Sequence, residues 1–249
     1  MNLPPIRSLC ISVLLFATIP FTGIAQAKTP AQESAERWAR YEPEFKAFAE
    51  ADRITQPAQK GILFVGSSIF RQWTNVAEMM APLPALNRAF GGSRTIDQLD
   101  RFDQVVPPYA PRIIVYYCGS NDLKADVPPE EIFANFQRFS ERARALRPDI
   151  RIVFVSSTRA PDRVAKWTQV DHYNALAWSY CTATPGHTFI DLNPVLVDAT
   201  GQPRLELYQD DKLHFHPPAY SEFSKVIKPV IERIWHEIKQ TQPDAARAQ

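Results

Sequence analysis

Apolar positions along this chain fall into two patterns. Short unbroken runs occur at Ile62-Leu63-Phe64-Val65, Ala85-Leu86, Ile113 to Tyr117, Ile152 to Val155 and Phe189-Ile190. Between them lie polar-patterned stretches of helical length at 95–106, 129–147 and 163–182, and a final helix is expected over about 219–240. An unbroken apolar strand needs cover on both faces, which parallel sheets obtain from flanking helices. The pattern therefore predicts one three-layer α/β domain with roughly five strands and no internal boundary. Pro107-Pro108, Pro128-Pro129 and Pro217-Pro218 punctuate its loops. Ahead of the alternation, residues 31–52 read as a helix. Its Trp38, Tyr41, Phe45 and Phe48 recur at steps of three and four and form one face to dock on the body.

The first segment reads as an address. Residues 1–27 hold a single charge, Arg7, then an apolar run that ends at Ala25-Gln26-Ala27, a small-x-small cleavage pattern. This predicts a secretory signal peptide and a periplasmic or secreted product without stable membrane insertion. The expected organisation is a signal peptide at 1–27, an N-terminal helical extension at 28–58, a catalytic-type domain at 59–241 and a flexible tail at 242–249. The 249 residues carry 28 Lys+Arg against 27 Asp+Glu, which gives no electrostatic footprint for nucleic acid. Cys118 and Cys181 lie in apolar context and are expected to be buried thiols. Oligomeric state is not legible.

In sheets of this kind ligands bind beyond the carboxyl ends of the strands. Four clusters lie there or just before the last helix: Gly66-Ser67-Ser68-Ile69-Phe70, Asn87 to Arg94, Gly119-Ser120-Asn121-Asp122, and Asp210 to His216. Four of the seven glycines after residue 27 fall in these clusters. Glycine serves where a chain turns sharply or a ligand comes close, so the concentration marks a site. Asp211 and His214 are three residues apart, the spacing for a carboxylate that orients an imidazole base. A hydroxyl nucleophile would then come from Ser67 or Ser68. The Gly92 N–H and the Asn121 amide are suitable oxyanion donors.

Together these blocks resemble the SGNH (GDSL-type) esterase and lipase family over about residues 61–220. Gly66-Ser67-Ser68-Ile69 resembles its first block, Gly-Asp-Ser-Leu, which makes Ser68 the nucleophile. Gly92 corresponds to the oxyanion glycine of the second block and Asn121 to the amide of the third. Asp211-Lys212-Leu213-His214 matches the Asp-x-x-His block. The resemblance implies a flavodoxin-like parallel sheet of order 2-1-3-4-5, ester hydrolysis through an acyl-enzyme, and no cofactor or metal. Ser67 replaces the family aspartate, Ala219-Tyr220 replaces a Gly-Tyr pair, and His216 is an unusual second histidine.

Arg94 is expected either to hold an acidic group of the substrate or to form a structural salt bridge, and Phe70 to pack in the core with one edge lining the pocket. Asp122 is expected to brace its loop rather than react. Substrates are expected to be small-molecule or carbohydrate esters with short acyl groups. Two other readings compete: a metal-dependent hydrolase built on Asp210, Asp211, His214 and His216, and a non-catalytic carbohydrate-binding protein on a hydrolase fold.

Overall fold

The computed structural model describes Met1 and residues 29–241. The signal-peptide segment and the 242–249 tail lie outside the described residues. The five apolar runs form strands β1 (Ile62–Gly66), β2 (Ala85–Asn87), β3 (Ile113–Tyr117), β4 (Arg151–Val155) and β5 (His187–Ile190). All pairs are parallel, in the order β2-β1-β3-β4-β5. The implied order and the three-layer α/β architecture are thus what the chain adopts.

Helices cover both faces. They are α1 (Pro30–Ile54), α2 (Ser68–Arg71), α3 (Val76–Met80), α4 (Thr95–Asp100), α5 (Phe102–Val105), α6 (Ser120–Lys124), α7 (Pro129–Leu146), α8 (Trp167–Ala183) and α9 (Pro217–Thr241). Strand residues alternate between two cores. Ile62, Phe64, Ile113, Val115 and Val153 pack with α2, α3 and the stripe Phe223, Ile227, Ile231, Ile234 of α9. Leu63, Val65, Ile114, Tyr116 and Phe154 pack with α4, α5, α7 and α8. Because the central runs 62–65, 113–117 and 152–155 feed both cores, their unbroken hydrophobicity follows, and polar residues enter only at the strand ends and in the edge strands, as at Asn87, Arg151, His187 and Thr188.

The helix expected over 95–106 is broken at Arg101 into α4 and α5. The one expected over 163–182 begins with a 3-10 turn at Pro161–Lys166 before α8.

Helix α1 starts with a capping box in which Thr29 and Gln32 satisfy each other's backbone N–H groups. It docks on the α4 side through the aromatic face. Tyr41 and Phe45 pack on Phe90 with ring centroids 4.9 and 5.2 Å apart. Trp38 is more exposed and stacks over the Arg101 guanidinium, 4.1 Å from the ring centroid. Polar anchors fix the docking. Asp97 accepts from Tyr41 Oη at 2.9 Å and from Arg37 Nε at 2.8 Å, while Asp52 binds Arg88 and Tyr109. Among the described residues no helix is long and apolar enough to cross a membrane. Cys118 and Cys181 are free and buried, and burial pushes the Cys181 thiol up to about 12.

Candidate active site

Three loops at the carboxyl ends of β1, β2 and β3 meet the segment before α9. The first turn is forced by Gly66. Its φ is +146°, and a Cβ there would lie 1.9 Å from the Tyr117 carbonyl oxygen. Only glycine fits against β3 at that point. The chain then enters α2, with Ser67 in extended conformation at the cap and Ser68 as the first helical residue. Tyr220 Oη donates to the Ile69 carbonyl at 2.9 Å, so the residue after the departing Ala219 pins this turn to α9.

Ser68 Oγ lies 2.9 Å from His214 Nε2, and His214 Nδ1 lies 2.5 Å from Asp211 Oδ2. The second oxygen of Asp211 accepts from the backbone N–H groups of Leu213 at 3.0 Å and His214 at 2.9 Å. Burial acts to raise the Asp211 carboxyl, but the bonds from the His214 ring and these N–H groups outweigh it. They hold the group at about 2. An ionised Asp211 can only accept, so Nδ1 carries the proton and Nε2 is left to accept from the Ser68 hydroxyl. The arrangement can draw a proton from Ser68 while a carboxylate stabilises the imidazolium that forms.

Gly92 and Asn121 line the same cleft as Ser68 and His214. Gly92 has φ +72°, a left-handed conformation that turns the 91–94 loop around the cleft. Asn121 Nδ2 donates to the Ser93 carbonyl at 3.1 Å, which leaves its second N–H uncommitted. Asp122 points the other way. It accepts from Thr95 N at 3.0 Å and Thr95 Oγ1 at 2.6 Å, tying α6 to α4. Burial pushes its carboxyl up to about 6, against the opposing effect of the Thr95 bonds and the charge of Arg94. Asp122 is thus a brace.

Two expected pocket residues are elsewhere. Phe70 is fully buried in the core, with its ring against Phe64 and Tyr117, and does not reach the cleft. Residues two apart on a helix point about 200° away from each other, so the face that shows Ser68 hides Phe70. Arg94 sits at the start of α4, where its N–H donates to Asp97 Oδ2 at 2.8 Å and its charge acts on Asp122. It is not among the residues that line the cleft.

Sequence reasoning missed the other side of the cleft. Its volume is about 430 Å³, and Arg40, Tyr41 and Glu44 of α1 line it together with Arg71, Gln72, Lys124 and Arg163. Glu44 Oε2 accepts from the Gly91 N–H at 2.8 Å, so the N-terminal helix holds the loop that carries Gly92. The step of three from Tyr41 to Glu44 could have signalled that this helix presents a carboxylate beside its docked face. A larger cleft of about 600 Å³, near Trp167, Asp191 and Asn193, holds neither Ser68 nor His214. His216 and Asp210 do not join the Ser68 cleft. Among the described residues no group of three or more His, Cys, Asp or Glu side chains is arranged to hold a metal ion.

A model of the GDSL-like lipase/acylhydrolase family matches residues 52–221. Solved structures share the fold. A protein provisionally assigned as a platelet activating factor from Streptococcus pneumonia aligns with TM-score 0.68 at 22% identity, over 82% of this chain and 99% of its own. A GDSL-like lipase from Bacteroides thetaiotaomicron aligns with TM-score 0.65 at 22% identity, over 76% and 98%. A variant of an acetyl-xylooligosaccharide esterase from Geobacillus aligns with TM-score 0.57 at 15% identity, over 68% and 93%. No curated protein sequence matches the chain significantly.

Proposed function

The chain belongs to the GDSL-like lipase/acylhydrolase family, a carboxylic ester hydrolase by that membership, and on this premise we propose that it is an exported serine esterase acting on short acyl esters. The observation that carries the reading is the hydrogen-bonded line from Ser68 through His214 to Asp211, at 2.9 and 2.5 Å.

In the proposed cycle His214 Nε2 takes the Ser68 proton as Oγ attacks the ester carbonyl carbon. The carbonyl oxygen becomes an oxyanion that accepts from the Gly92 N–H and the free N–H of Asn121. A donor of this kind contributes on the order of 3 kcal/mol to lowering the barrier. The tetrahedral centre collapses, the C–O bond to the alcohol breaks, and the imidazolium gives its proton to the departing alkoxide. Water then loses a proton to His214 and attacks the acyl-enzyme. A second collapse returns the proton to Ser68 and releases the acid.

Small acyl groups fit a cleft of about 430 Å³. An acetylated sugar is one substrate of this class, in line with the acetyl-xylooligosaccharide esterase that shares the fold. Export rests on the 1–27 segment alone. Hydrolysis of a short aryl acetate by the purified protein, lost in Ser68→Ala and in His214→Ala, tests the chemistry. Labelling of Ser68 by an alkyl phosphonate, with activity unaffected by a chelator, is the expected companion result. Full activity in Ser68→Ala would overturn the reading.

A further inference from the structure

The side chains around Ser68 carry a charge pattern that ester hydrolysis alone does not require. Four cations line the cleft: Arg40 from α1, Arg71 from α2, Lys124 from α6 and Arg163 from the 3-10 turn before α8. One carboxylate, Glu44, lines it with them. The chain as a whole is almost balanced, with 28 basic and 27 acidic side chains, so the imbalance is local.

Two of the four cations are neutralised. Arg71 Nε faces Glu44 Oε1 at 3.4 Å. Arg163 pairs with Asp162 at 3.2 Å and donates to the Ser120 carbonyl and hydroxyl at 2.9 and 2.7 Å. Asp211 is taken by the His214 ring, on the side away from Ser68. Arg40 and Lys124 remain. Among the described residues neither has a carboxylate partner. The two reach the cleft from different elements. The Arg40 guanidinium packs over Gly92, close enough that a Cβ on that residue would strike it. Lys124 ends α6, whose first turn carries Asn121. Both unpartnered charges therefore come from beside the two proposed oxyanion donors.

We infer that the enzyme selects esters carrying an anionic group, a carboxylate, phosphate or sulfate, which is held between Arg40 and Lys124 while the ester carbonyl lies at Ser68. The inference rests on the esterase reading above and adds the substrate class. A cation in a concave site raises the local concentration of anionic ligand and steers its approach. A neutral ester leaves these two cations to water, whereas an anionic one gains a charge contact with each. The anionic group can belong to the alcohol or to the acyl half, since both lie within the same cleft.

The test uses matched pairs. For the alcohol half, 3-acetoxybenzoate is compared with 3-acetoxybenzamide; for the acyl half, phenyl hydrogen adipate with phenyl hexanoate. The expected result is a kcat/KM at least tenfold higher for the anion in one of the two pairs. That preference should fall as ionic strength rises, while the rate for the neutral ester stays flat. Arg40→Gln and Lys124→Gln should each reduce the anion-to-neutral ratio by roughly five- to tenfold, the size of one charge contact near the surface. Both side chains are exposed, and an unchanged thermal unfolding midpoint would show that the variants fold. A ratio near one in both pairs, or a ratio unaltered in the double variant, would overturn the inference. Loss of every activity in Ser68→Ala alongside a ratio near one would leave the esterase standing and remove only its anion preference.

Discussion

Glu44 of α1 and Gly91 of the β2–α4 loop are joined by a 2.8 Å hydrogen bond between a carboxylate and a backbone N–H. The helix that precedes the sheet therefore fixes the loop that presents Gly92 to Ser68. A charge-assisted bond of this type contributes about 1.5–3 kcal/mol when its acceptor is lost. Half-exposure reduces that value here. Glu44→Ala is expected to lower kcat/KM for a short aryl acetate about three- to tenfold, with Glu44→Gln recovering most of the loss. Equal losses in both variants would show that the Arg71 ion pair matters and the bond to Gly91 does not.

Asp211 is held ionised down to about pH 2 by the His214 ring and two backbone N–H groups, despite a burial effect in the other direction. Its own titration should leave no break in the rate profile above about pH 4. Asp211→Asn replaces the acceptor facing Nδ1 with an amide N–H donor and so favours the ring tautomer with Nε2 protonated towards Ser68. The expected loss in kcat is on the order of 10³–10⁴, with KM changed little. Steady-state kinetics across pH 4–9 would check both statements.

Asp122 makes stability depend on pH in an unusual direction for a carboxylate. Its folded-state value is raised by burial to about 6 from a reference of 3.8. The native state then holds the proton more tightly than the unfolded state. The contribution of Asp122 to stability is accordingly largest below its unfolded value and is lost as pH rises through about 6, a loss of up to roughly 2–3 kcal/mol. Asp122→Asn should flatten this part of the curve. Urea unfolding of both proteins at pH 4, 5, 6 and 7 measures the difference, and parallel curves would refute it.

Gly66→Ala should be severe. The new Cβ would meet the Tyr117 carbonyl at 1.9 Å, and the backbone has a φ that alanine rarely adopts. A loss of about 3 kcal/mol or more, or failure to accumulate soluble protein, is expected. Gly201→Ala is the comparison. It has φ +81° but nothing within 4 Å of its Cβ, so it should cost about 1 kcal/mol.

Much of this was legible because the information is local. Ile113 to Tyr117 reads as a buried strand since every one of its side chains enters a core. Asp211 and His214 announce themselves because three residues of loop bring a carboxylate to a ring nitrogen. Ser68 is reached by family resemblance, and its Oγ lies 2.9 Å from His214 Nε2. The failures came from direction and distance. Phe70 lies two residues from Ser68, yet the helix turns it into the core. Arg94 follows Gly92 closely but faces Asp122. Arg40 and Glu44 carry no motif and sit far upstream, so only the docking of α1 through Tyr41 and Phe45 brings them to the cleft.

The hydroxyl and the imidazole are 146 positions apart in the chain. On the proposed mechanism a polypeptide still being synthesised thus has its attacking oxygen long before the group that would deprotonate it. On that mechanism any partial product ending before residue 214 would be chemically silent towards esters, however well its sheet has formed. Hydrolytic power would then arrive only when the last loop closes over the first strand, which ties it to a chain that has passed residue 214.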